Sequence, residues 1–295
     1  MGYLGSMARD RLNMAATAML KFSQLFKSVR CAVIGMIHVK ALPGTPFNNL
    51  NCSKLVEAAC QEAAVYAESG LDGVLVENMY DLPYVTAKHA GPEQVAFMTR
   101  VCSEVKKMLP MLPCGVQLLA ANNVAAVAVA AAAGLQFVRA EGFVFSHVAD
   151  EGIMDSCAGQ LLRYRRNIGA EDVLVFADIK KKHCAHAITA DVGIAETAKA
   201  AEFFQCDGVI LTGTATGQPP SFPDLKGEIP SGPVLLGSGI DVGNIEAFFS
   251  ADAVIVGSSF KQNGHWRGTL EPARVNAFMK SIYRLRQKSS SISQN

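Results

Sequence analysis

From Cys31 onward, short apolar runs rich in β-branched residues alternate with longer segments of helical spacing, the pattern of βαβ units feeding a parallel sheet. Eight such runs can be counted: Ala32 to His38, Gly73 to Glu77, Gly115 to Leu119, Phe137 to Glu141, Val173 to Asp178, Gly208 to Thr212, Val234 to Gly237 and Ala253 to Gly257. Their almost unbroken apolar character is that of strands covered on both faces. Between them the spacing predicts helices over Ser53–Ser69, Pro92–Leu109, Val124–Ala133, Met154–Asn167 and Ile188–Phe204, with Pro92 suited to a helix start. The sixth crossover holds Gly217-Gln218-Pro219-Pro220 and Pro223, so a loop replaces a full helix there. A last helix is expected over Pro272–Gln287, followed by a disordered Ser-rich tail over 288–295. Eight units predict a single (β/α)8 TIM barrel over residues 30–287.

The first 29 residues lie outside this repeat. Arg9, Arg11, Lys21 and Lys27 stand against one acid, Asp10, while Leu12, Ala15, Met19, Phe22, Phe26 and Val29 recur at helical spacing. Two readings stay open: a mitochondrial presequence, which would place the protein in the matrix, or a helix packed against the barrel bottom, with a cytoplasmic location as the alternative.

Composition narrows the partners. With 295 residues, half of them apolar and a formal net charge of +1, the chain has no global field to hold nucleic acid. The longest apolar stretch, Val124 to Ala133, is about half a membrane span, so no spanning segment is expected. Eight cysteines without a C-x-x-C pair read as reduced packing residues. A small-molecule ligand is the expected partner; self-association is expected only on the habit of such barrels.

Two corners suggest what that ligand carries. Gly237-Ser238-Gly239-Ile240 and Gly257-Ser258-Ser259-Phe260 end consecutive strands, and glycine lets backbone N–H groups turn toward an anion. In this architecture the loops after strands seven and eight form a phosphate site. The loop Thr212-Gly213-Thr214 offers more hydroxyl and N–H donors, making Gly213 and Thr214 further phosphate candidates. Active sites of such barrels sit at the strand ends, and here those ends are polar: His38, Glu77-Asn78, Gln117, Glu141, Asp178 and Thr212. Glu77 and Asp178 are read as an acid and base pair, with Glu141 a further catalytic candidate. His38 and Lys180 would stabilise developing negative charge, and Asn78, Gln117 and Thr212 would orient substrate. After Asp178 comes Lys180-Lys181-Lys182-His183-Cys184-Ala185-His186, of which Lys180 is the preferred cation. His183 and His186 with Asp178 leave a divalent metal possible, but no complete ligand set is present and no cofactor is predicted.

Ile34-Gly35-Met36-Ile37-His38 with Leu42-Pro43-Gly44-Thr45-Pro46, Gly73 to Asn78 with Asp81-Leu82-Pro83-Tyr84, Arg139 with Asp150-Glu151-Gly152-Ile153, Lys182-His183, and Leu211 to Gly217 occur in an order that resembles the BtpA family. The resemblance covers most of Ala32 to Arg284 and implies a barrel akin to the ribulose-phosphate-binding barrels. It implies little about chemistry. Two functions remain: an enzyme acting on a phosphorylated small molecule, a sugar phosphate or nucleotide-like compound, by acid/base chemistry; or a non-catalytic assembly or regulatory factor that binds such a ligand. Isomerisation, aldol-type cleavage and glycosyl phosphate hydrolysis all fit the first.

Overall fold

The computed structural model describes residues 2–213 and 232–292, with side chains from 13 onward and to 291. Thr214, and the sixth crossover around Gly217-Gln218-Pro219-Pro220, lie outside the described residues.

Helix α1 (Gly2–Leu25) precedes β1 (Ala32–His38), α2 (Cys52–Glu68), β2 (Gly73–Glu77), α3 (Pro92–Met108), β3 (Cys114–Gln117), α4 (Asn123–Ala133) and β4 (Phe137–Ala140). Then come β5 (His147–Ala149), β6 (Gly152–Met154), α5 (Ala158–Asn167), β7 (Leu174–Ile179), β8 (Cys184–Ala185), α6 (Ile194–Phe203) and β9 (Gly208–Thr212). The chain ends with β10 (Val234–Gly237), α7 (Ile245–Phe248), β11 (Ala253–Val256) and α8 (Pro272–Ile292). Eight parallel strands close in the order β1-β2-β3-β4-β7-β9-β10-β11, the (β/α)8 barrel that the alternation predicts.

Three elements differ from expectation. Residues 154–157 and 188–193 are not α-helical; instead β5, β6 and β8 form a small antiparallel sheet above the strand ends. Strands of two or three residues carry no readable period, so the sequence pattern passes over them. Helix α8 continues through residues 288–292, where a disordered tail is expected.

The barrel interior is layered by the two-residue period of its strands. At the bottom, Ala32, Ile34, Leu75, Phe137, Leu174, Phe176, Ile210, Leu235, Ala253 and Ile255 pack as one cluster, into which Phe22 and Phe26 of the N-terminal segment insert. Their rings meet Phe176 and Phe137, each pair with centroids 6.0 Å apart. Gly115 lies beneath Phe137: a Cβ there would come 2.2 Å from the ring, so β3 reaches the aromatic layer only as glycine. The opposite faces of the strands, with Val33, Val76, Val116, Val138 and Val175, pack in a second, larger core against the helices.

All eight cysteines are free, and burial raises the thiol pKa of Cys31, Cys102, Cys114 and Cys206. Among the described residues no helix is long and apolar enough to cross a membrane.

Candidate active site at the strand ends

The alternation that aims Ile34 and Met36 inward also aims His38 inward, and likewise Leu75 then Glu77, Gly115 then Gln117, and Phe176 then Asp178. Register sets three of these side by side, because His38 pairs with Glu77 and Glu77 with Gln117 across β1, β2 and β3. They floor a cavity of about 820 Å³, which Arg139, Glu141, Lys181, Lys182, Ser238, Gly239, Gly257, Ser258 and Ser259 also line. Asp150 and Glu151, on the turn between β5 and β6, reach it from above, as do Tyr84 and Trp266.

Asp178 is clamped by Arg139, whose Nε donates to both carboxylate oxygens at 3.1 and 3.0 Å. Desolvation still pushes the Asp178 pKa upward, against the guanidinium that lowers it. Glu141 takes one bond from Lys181 Nζ at 2.9 Å and another from the Ala121 backbone N–H at 2.9 Å. Glu77 has no such clamp: its Oε2 is 3.7 Å from His38 Nε2. Burial raises its pKa to about 7, with Arg139 opposing and Glu141 adding to the rise. Burial, then the charge of Lys261, lowers His38 to about 3, so its ring is neutral near pH 7, with Nδ1 3.4 Å from the Trp266 carbonyl oxygen. The site therefore holds a carboxyl group poised between its two protonation states beside a neutral imidazole.

Five buried or half-buried lysines lie at this end of the barrel, and four are occupied, Lys40 by Tyr80 Oη at 2.9 Å. Lys181 pairs with Glu141, Lys261 with Glu62, and Lys180 donates to the Thr189 carbonyl at 2.7 Å. Lys182 has no carboxylate partner among the described residues; its Nζ donates to Ser238 Oγ at 3.1 Å. Desolvation, reinforced by Arg139, lowers its pKa to about 8. Glu77 and Asp178 act on Lys182 only at a distance, and a cation held at a serine-glycine corner in no direct salt bridge is suited to an incoming anion. At that corner Ser238 and Gly239 both have positive φ, 80° and 68°, and Ser259 Oγ donates to the Ile240 carbonyl at 2.5 Å, tying the two corners together.

Several expected residues take other roles. Lys180 follows the strand with φ of 43°, which turns it away from the cavity into a separate small cleft with His147 and His186; Lys181 and Lys182 reach the cup instead. Asn78 has the parity opposite to Glu77 and faces the helix layer. It donates to Asp81 and accepts from Leu119 N–H, while Asp81 accepts from Leu42 N–H, which locks two loops rather than orienting a ligand. Thr212 accepts from the Lys182 backbone N–H and so shapes the lysine loop. Gly213 and Gly237 do not line the cavity. Among the described residues no group of three or more His, Cys, Asp or Glu side chains converges to hold a metal ion: His186 contacts the Lys181 carbonyl and its ring is tilted against His147 at 5.4 Å. Arg139 and Trp266 are site residues beyond those expected, and Lys181 and Lys182 take the place of the preferred Lys180 from the same run. Arg139 carries a readable signal, since it shares inward parity with Phe137 on the same strand.

Fold and cup together define a (β/α)8 barrel with a polar, charge-lined mouth at its strand ends. The chain belongs to the BtpA family, whose model matches residues 29–284. A Caenorhabditis elegans relative described as uncharacterised and mitochondrial is 48% identical over 271 residues, 90% of this chain and 98% of its own length. Photosystem I biogenesis protein BtpA of Synechocystis is 34% identical over 254 residues, 85% of this chain and 87% of its own. Among solved structures, phosphoribosyl anthranilate isomerase from Thermus thermophilus superposes with a TM-score of 0.53 at 13% identity, over 86% of this chain and 99% of that one. Dihydropteroate synthase from Xanthomonas albilineans gives 0.51 at 15% identity, over 88% and 93%. At such identities these likenesses show the fold.

Proposed function

We propose that this protein is an enzyme that acts on a phosphorylated small molecule by proton transfer, with Glu77 as the titrating group. The observation that carries this reading is that one cavity holds both an unclamped, buried Glu77 beside neutral His38 and, at the Ser238 corner, Lys182, a cation in no salt bridge among the described residues. The phosphate is assigned to Ser238, Gly239, Gly257, Ser258 and Ser259 with Lys182. Near pH 7 Glu77 takes a proton from the bound ligand or returns one, and the His38 imidazole donates or accepts a hydrogen bond beside it. Arg139, fixed by Asp178, and Lys182 stabilise negative charge as it develops on the ligand, in a site where low polarity strengthens the attraction. Lys181 and the Ala121 N–H fix Glu141 in place as part of the wall.

The solved barrels that superpose include phosphoribosyl anthranilate isomerase, whose name is that of an enzyme of a phosphoribosyl compound, which supports a phosphate-binding mouth. The name of the Synechocystis relative supports the rival, a ligand-binding biogenesis factor without turnover. The name of the C. elegans relative supports a mitochondrial location. A thermal-shift screen against phosphorylated sugars, nucleotides and orthophosphate, with Glu77→Gln alongside, tests the reading. A ligand at about a hundred times its Kd should stabilise by roughly 2.7 kcal/mol. An enzyme retains that binding in Glu77→Gln and loses turnover of the hit; a binding factor shows no turnover in either form.

A further inference from the structure

The cavity has two unlike halves, and their placement constrains what a ligand must be. The Ser238 corner follows β10, and Gln117 ends β3; in the closed order β1-β2-β3-β4-β7-β9-β10-β11 these strands are four apart, diametrically opposite. Eight strands spaced about 4.8 Å apart and tilted about 36° close into a barrel about 15 Å across. A ligand anchored at Ser238 reaches Gln117 only by spanning the mouth.

Gln117 calls for such a partner. It is 1% exposed, lines the cavity, and its Oε1 accepts no hydrogen bond among the described residues. A buried acceptor left unpaired is costly, and one aimed into a cavity is suited to a donor on the ligand. Gln117 is flanked by Glu77 on β2, but the same cavity is also lined by apolar and aromatic side chains, Met79, Leu82, Leu119 and Tyr84, and Trp266 stands above His38 with ring centroids 6.4 Å apart. Tyr80 braces the indole edge-on at 4.9 Å. A free sugar would place hydroxyls against these apolar faces, whereas a planar ring presents apolar faces to the wall and an N–H edge to Gln117.

Building on the phosphate reading above, we infer that the ligand is a nucleoside 5′-phosphate: its phosphate at Lys182 and Ser238, its ribose across the floor, and its base between Trp266 and Gln117. The cavity volume of about 820 Å³ accommodates a molecule of that size.

Trp266 is the chain's only tryptophan, so its emission reports directly on the ring subsite. The experiment titrates the full chain by calorimetry and fluorescence with ribose 5-phosphate, adenosine and the four common ribonucleoside 5′-monophosphates. At least one monophosphate is expected to bind about tenfold or more tighter than ribose 5-phosphate and to change Trp266 emission, as a ring contact plus a hydrogen bond together provide. Gln117→Leu should remove most of that gain and leave ribose 5-phosphate binding unchanged. Trp266→Ala, at a half-buried loop position, should do the same if Gln117→Leu fails to fold. Ribose 5-phosphate binding as tightly as all four monophosphates would overturn the inference while leaving the phosphate reading intact. Adenosine binding without any phosphorylated probe would overturn the nucleotide assignment and the phosphate site with it, and binding of no probe would overturn both.

Discussion

Phe26→Ala tests whether the N-terminal segment is a working part of the barrel or a removable leader. Phe26 is 2% exposed, its ring lies 4.8 Å from Phe22 and 6.0 Å from Phe137, and it closes the bottom layer together with Phe176. Truncating a buried phenylalanine costs about 3–5 kcal/mol, from lost transfer energy and the cavity left behind. Against a total stability of about 5–15 kcal/mol that is a large share. For a chain of this length about 2 °C is lost per kcal/mol, so the midpoint should fall by about 6–10 °C. Leu20, on the same N-terminal segment but 58% exposed, provides the control; Leu20→Ala should stay within about 0.5 kcal/mol. Urea and thermal unfolding followed by circular dichroism measure both. Phe22→Ala combined with Phe26→Ala should cost less than the sum of the singles, since the rings touch. Equal stability of Phe26→Ala and Leu20→Ala, or a chain lacking residues 1–29 as stable as the full one, would refute the argument.

Three further outcomes follow from the cup. Because burial raises Glu77 from 4.5 to about 7, the native state holds a proton that the unfolded chain has released between those pH values, so ionising Glu77 costs stability as pH rises through that window. Glu77→Gln should therefore be more stable than the natural protein at pH 8, by on the order of 1–3 kcal/mol, and no more stable below pH 4.5, as denaturant titrations at the two pH values will show. Lys182→Met should weaken binding of orthophosphate or ribose 5-phosphate about tenfold or more, whereas Lys180→Ala should leave calorimetric affinity unchanged; the reverse ranking would return the anion site to Lys180. In the natural protein the same binding should weaken above about pH 8, where Lys182 loses its proton. Asp178→Ala should destabilise by about 3–5 kcal/mol by leaving the Arg139 guanidinium buried and unpaired, and a loss under 1 kcal/mol in urea unfolding would show that water reaches it.

The chain's sequence fixes a good deal by itself. Parallel strands buried on both faces must be continuous apolar runs, and eight such runs alternating with helices leave a closed barrel as the architecture. The same period places His38, Glu77, Gln117 and Asp178 at inward positions on the ends of their strands, so most of the cup's floor can be read from alternation alone. Parity also argues against Asn78, one residue past Glu77, and in favour of Arg139, two past Phe137.

What the sequence cannot decide is where side chains turn once a strand has ended. Beyond Asp178 no period holds: a single positive φ at Lys180 sends that lysine to Thr189 and delivers Lys181 and Lys182 to the cup, and nothing local in three successive lysines distinguishes them. Trp266 reaches His38 from 228 residues away, and the short β5, β6 and β8 sheet forms only because the loops after β4 and β7 meet over the mouth. The pKa values are likewise tertiary, since Glu77 and Asp178 are both carboxylates at strand ends and differ in that only Asp178 has Arg139 clamped on it. Local sequence sets which way a regular strand faces; the choice of partner among charged groups depends on desolvation and on distances that exist only after the barrel has closed.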